Sequence, residues 1–120
     1  MRAETGARWN MWARKLVAEA LGTGLLVLAV VGSGIMADRL SDDVGVTLLA
    51  NTMATALALY FLITVLGPVS GGHINPIVTL AFALRRELSP GLALASWPAQ
   101  LLGGICGPVA THALFGGTLL

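Results

Sequence analysis

Charge is scarce in this sequence. Of 120 residues only 11% are charged, against 56% hydrophobic, and mean hydropathy is +0.82. A soluble domain of this size needs a charged shell around its core, and this composition cannot supply one. The charges are also unevenly placed. None occurs from Val44 to Leu84 or from Leu88 to Leu120, and Glu19 alone interrupts the stretch between Lys15 and Asp38. The single cysteine, Cys106, excludes a disulfide framework and reads as a small packed residue in an apolar run. A net charge of +1 gives no face for nucleic acid or an acidic partner. No metal set and no cofactor is implied.

What is present is membrane-length hydrophobicity. A helix crosses the hydrocarbon core with roughly 20 apolar residues, so about three spans fit the chain. They are expected at about 16–37, 45–66 and 90–115. Residues 1–15 form a basic leader whose Trp9 and Trp12 suit the headgroup layer. The run from Leu16 to Ala37 exceeds the roughly 7–15 apolar residues of a signal peptide, so it reads as a first transmembrane helix. Asp38 to Asp43 make a short acidic loop, and Gly67-Pro68 ends the second span. Pro98 is expected to kink or loosen the third span, Gly116-Gly117 to cap it, and Gly103 and Gly107 to give it a small face for close packing.

Residues 69–86 do not fit a span. Ser70-Gly71-Gly72-His73-Ile74-Asn75-Pro76 is turn chemistry, and the run after it carries no charge before Arg85. Asn75 is a good N-cap, and Pro76 suits the first helical position, where its missing N–H costs nothing. A helix from Pro76 to Arg86 rises only about 16 Å, roughly half the hydrocarbon thickness. The segment therefore reads as a re-entrant half-helix, which survives in a membrane only when buried in protein or lining a wet cavity. Its N-terminus brings a positive half-dipole to the midplane. The Asn75 amide adds N–H donors there, and the residues from Gly71 to Ile74 offer carbonyl acceptors ahead of it. Acceptors in line ending at donors make a path for water or a polyol and a barrier to cations.

The pattern Ser70-Gly71-x-His73-x-Asn75-Pro76-x-Val78-Thr79 resembles the first Asn-Pro-Ala box of the aquaporin and glycerol-facilitator (major intrinsic protein) family. Ala18-Glu19-x-x-Gly22-Thr23 resembles that family's first helix, and Ala99-Gln100-x-x-Gly103 its third. The resemblance implies an all-α integral membrane fold: three transmembrane helices plus a re-entrant half-helix, half of an inverted repeat. It implies Asn75 as midpore donor, the carbonyls of Gly71, Gly72 and His73 as channel lining, and Glu19 bracing the loop through backbone amides. The alternative for Glu19 is a charge snorkelling to the interface. Gln100 is expected to satisfy a loop or helix polar group, and Pro76 to start the half-helix. His73 reads as a hydrogen-bonded structural imidazole, His112 as interfacial, and Arg85 and Arg86 as topological anchors.

Two positions depart from the family pattern. Ile77 stands where the box has alanine, and Thr55 falls at the constriction position of the second helix, where large aromatics are usual. Threonine there implies a wider, more polar opening, as in bacterial members resembling metalloid and small-polyol channels; the alternative is a helix-packing hydroxyl. The second box and spans four to six do not occur in these 120 residues. Two functions stay open. One is the N-terminal half of a channel for water, glycerol or neutral metalloid acids, completed by a second half and forming tetramers as full-length relatives do. The other is a truncated, non-conducting membrane protein that assembles with a full-length or complementary half-channel. No enzyme is expected, because no Ser/His or Asp/Asp pair lies at usable spacing within the spans. Arg2, Arg8, Arg14, Lys15, Arg85 and Arg86 fall on one side and Arg39 on the other. That bias implies a cytoplasmic N-terminus, and the resemblance to bacterial members implies a bacterial cytoplasmic membrane.

Overall fold

The computed structural model describes residues 2–116, with side chains from Asn10 onward. Its elements are four helices: α1 (Arg2–Leu40), α2 (Val44–Ser70), α3 (Pro76–Leu84) and α4 (Pro90–Phe115). Three of them contain segments long and apolar enough to cross a membrane: Asn10–Leu40, Val44–Ser70 and Pro90–Phe115. At 9 residues, α3 rises about 13 Å and cannot cross. The fold is that of an all-α integral membrane protein with three spans and one short helix.

Two boundaries differ from expectation. Residues 2–15 are not a separate leader but the opening turns of α1. They are mostly good helix formers, with no proline to stop the run. Met1, Gly117 and the side chains of Arg2, Arg8 and Trp9 lie outside the described part. Likewise α2 does not stop at Gly67-Pro68. It runs to Ser70, and Gly71 ends it in the left-handed region, its N–H donating to Gly67 O at 2.8 Å. In α4, the helix continues unbroken through Pro98 and Pro108. Each of α2, α3 and α4 is capped at its start by a side chain. Asp43 Oδ1 accepts from Gly45 N and Val46 N, Asn75 from Ile77 N, and Ser89 from Leu92 N.

Helix α1 is the hub: α2 and α4 pack on it, and α3 lies against α4. The α1–α4 crossing is backbone on backbone. A Cβ on Gly103 would overlap Ala20 O, and one on Gly107 would lie 2.6 Å from Gly24 O. Close approach of this kind lets dispersion act where lipid removes any hydrophobic gain from association. The α1–α2 contact has a polar clamp. Asn51 Nδ2 donates to Val30 O at 2.7 Å and Ser33 Oγ at 3.1 Å, so its amide is directed into α1. At the far end of α1, Arg39 Nη2 donates to Phe115 O at 2.8 Å, with its guanidinium over the Phe115 ring.

Gly103→Ala is expected to destabilise the folded chain by about 1–3 kcal/mol through overpacking. Gly67→Ala, whose Cβ would meet nothing within 4 Å, should be neutral or slightly stabilising. Unfolding of both variants in a denaturing-detergent titration checks the contrast.

Candidate functional site

The site is built where α2 ends and α3 begins. Gly71 (φ 93°) and Gly72 (φ 64°) turn the chain out of α2 through the left-handed region, open to glycine at no steric cost. At Gly72 the space is also tight, since a Cβ would lie 3.3 Å from Ile63 Cα. Ile74 follows at φ 42°, a conformation that costs a β-branched residue of order 1–3 kcal/mol. Two contacts hold it there. Its N–H donates to Glu19 Oε2 at 2.6 Å, and its side chain, 3% exposed, fills the notch left by Gly22. A Cβ at Gly22 would come within 2.5 Å of Ile74 Cγ2.

Glu19 is the centre of a buried polar network. Its carboxylate accepts from His73 N (3.1 Å), Ile74 N (2.6 Å) and Gln100 Nε2 (3.1 Å), and the residue is 2% exposed. Gln100 Nε2 also donates to Thr79 Oγ1 at 2.8 Å, and Thr79 Oγ1 lies 3.4 Å from His73 Nδ1. The His73 ring stacks on Phe82 at 4.6 Å. Helices α1, α3 and α4 thus meet on one loop through side chains that are almost wholly buried. A carboxylate receiving several donors is tolerated at such depth where an unpartnered one is not.

At the tip of α3, Asn75 is extended and exposed. Its Oδ1 accepts from Ile77 N at 2.8 Å, which leaves the Nδ2 donors without a bond to any described residue. The carbonyls of Gly71, Gly72, His73 and Ile74 likewise accept no hydrogen bond from the described residues. Pro76 occupies the first turn, and its carbonyl accepts from Trp97 Nε1 at 3.1 Å, which ties α3 to α4. A cavity of about 410 Å³ opens beside the loop, with Lys15, Ser70, Gly71, His73, Phe82 and Glu87 among its lining.

The structure therefore brings Glu19, His73 and Gln100 into one network, and places Gly71, Gly72, Asn75 and Pro76 on the segment it holds. Thr55 stands apart. Its hydroxyl donates to Asn51 O at 2.8 Å, one turn back on α2, and makes no bond to the loop. Sequence reasoning gave no role to Phe82 or Trp97, none to Thr79 beyond its place in the box pattern, and to Ile74 only a carbonyl acceptor. The signals for Thr79 were its place at the end of the box pattern and its position four residues after Asn75, on the same face as the cap. Among the described residues no group of three His, Cys, Asp or Glu could hold a metal ion.

Three spans and a capped short helix, folded back on a buried carboxylate, define an all-α integral membrane protein. The chain belongs to the major intrinsic protein family, whose model matches residues 7–118. It is 54% identical over 102 residues to the aquaglyceroporin AqpS of Rhizobium meliloti (strain 1021), covering 85% of this chain and 44% of that protein. It is 43% identical over 98 residues to the lens fiber major intrinsic protein of Gallus gallus, covering 82% and 36% respectively. Against aquaporin TIP1-2 of Zea mays it is 37% identical over 111 residues, covering 90% and 44%. The chain thus spans less than half the length of these relatives.

Glu19→Ala would leave two buried amides without an acceptor, at about 1–3 kcal/mol each. Hydrogen exchange at His73 and Ile74 is expected to accelerate by at least about tenfold in that variant, while the interior of α2 keeps its protection. Unchanged exchange at both amides would contradict the network.

Proposed function

We propose that these residues form the N-terminal half of a transmembrane channel for small neutral solutes: water, glycerol or neutral metalloid acids. The observation that carries this reading is the tip of α3. Unbonded carbonyls from Gly71 to Ile74 lead to an exposed Asn75 whose amide donors are unbonded too. A solute with hydroxyl groups replaces its water contacts along such a row, while the helix N-terminus repels cations. In this reading Asn75 is the midpore donor, the carbonyls of Gly71, Gly72 and His73 line the path, and Glu19, Gln100 and Pro76 hold the loop in place. Thr55 widens the constriction. Ile77, 73% exposed beside Asn75, meets the opposing half-helix.

The name of the Rhizobium relative, an aquaglyceroporin, supports polyols as well as water. The channel needs a second, inverted half, and the assembled form is a homo-oligomer in the membrane, a tetramer as in full-length relatives. The excess of Arg and Lys at one end of the spans supports a cytoplasmic N-terminus, and the relative supports a bacterial cytoplasmic membrane. No catalytic role is proposed. The exposed tip of α3 also favours a second reading, a non-conducting subunit whose half-lined path serves only to assemble with another channel.

Fusion of this chain to the C-terminal half of the Rhizobium aquaglyceroporin, followed by vesicle swelling, separates the two readings. The channel reading expects solute flux that Asn75→Asp suppresses roughly tenfold, equivalent to about 1.4 kcal/mol on the barrier. The fusion lacking flux, or flux and proton exclusion indifferent to Asn75→Asp, would overturn it.

A further inference from the structure

A second polar feature lies away from the loop network, in the crevice between the start of α1 and the end of α2. It is a cavity of about 230 Å³ lined by Met11, Arg14, Lys15, Pro68 and Val69. Among the described residues no acidic one borders it, and neither cation makes an ion pair or hydrogen bond with another of them. Arg14 and Lys15 stand just before the charge-poor run that starts at Leu16, and Pro68 and Val69 lie in the last turn of α2. The crevice therefore sits where hydrocarbon gives way to headgroups.

From this crevice an apolar stripe runs along α2 into the span. Val69, Val65 and Phe61 are four residues apart and share one helix face, and Val65 and Phe61 are 50% and 63% exposed. Two cations at headgroup level, an apolar wall beside them and an exposed apolar track beneath match one kind of molecule in both charge and shape. The geometry points to an anionic phospholipid, its phosphate between Arg14 and Lys15 and one acyl chain along Val65 and Phe61. Basic pockets between transmembrane helices bind such headgroups by the same physics. Arg and Lys supply charge-assisted hydrogen bonds to phosphate oxygens, strengthened where water is partly excluded. Lys15 also borders the cavity beside His73, so an occupied crevice places a headgroup next to that opening. This inference rests on the chain spanning a membrane and not on its conducting.

The test uses native mass spectrometry of the whole chain in detergent, titrated with phosphatidylglycerol or phosphatidylcholine of the same acyl composition. Phosphatidylglycerol should be retained in preference. Arg14→Gln with Lys15→Gln should weaken its retention roughly twenty- to thirtyfold, from about 1 kcal/mol per basic residue. The charge-preserving swap Arg14→Lys with Lys15→Arg should retain it. The control Arg85→Gln with Arg86→Gln removes the same charge elsewhere and should change nothing. Equal retention of both lipids, an equal loss in the control, or displacement of the lipid by millimolar inorganic phosphate would overturn the assignment.

Discussion

Everything in this fold that is not a plain membrane helix depends on a buried carboxylate. Glu19 sits inside a span, 2% exposed, a place where an unpartnered acid is expensive. Its oxygens accept two consecutive backbone amides and the Gln100 side chain, so the charge is matched by donors that are themselves buried. The relation is mutual. The loop amides would be unsatisfied in a membrane without Glu19, and without them the buried Glu19 oxygens would lack donors. Ile74 is held in the left-handed region by this same bond and by the notch at Gly22, one turn from Glu19 on α1.

That geometry fixes the start of α3. Once the chain leaves the Glu19 clamp, Asn75 caps the next turn and Pro76 begins it, so the short helix starts directly at the clamped loop. Gln100 and Thr79 then tie α3 to α4, and Trp97 adds a bond to the Pro76 carbonyl. The glycines of the α1–α4 crossing matter here for a simple reason. Only with backbones in contact at Gly103 can Gln100, one turn earlier, reach Glu19. Packing and polar satisfaction are therefore one requirement rather than two.

The helical architecture was legible because it follows from length and hydropathy: charge-free runs give spans, and Asn75-Pro76 after a glycine turn gives a new helix start. Boundaries were less legible. Nothing in residues 2–15 breaks a helix, so α1 extends through them, and Pro68 is tolerated one turn before the end of α2, where few backbone bonds remain to lose. The roles of single polar residues depended on which way each helix is rotated, which composition does not reveal. Asn51 faces α1, and Thr79 sits wholly buried between His73 and Gln100. The left-handed Ile74 had no signal at all, since a β-branched residue is the last expected there.

In a bilayer, then, the Glu19 carboxylate should sit on the two loop amides. Solid-state NMR of the chain in lipid measures this directly, through dipolar recoupling between a ¹³C-labelled Glu19 carboxyl and ¹⁵N-labelled His73 and Ile74. With N–O distances of 3.1 and 2.6 Å, both nitrogens should dephase strongly, Ile74 the faster. Dephasing absent at both, with the spans still helical, would mean that another group holds the loop and that Glu19 is not the residue on which the fold depends.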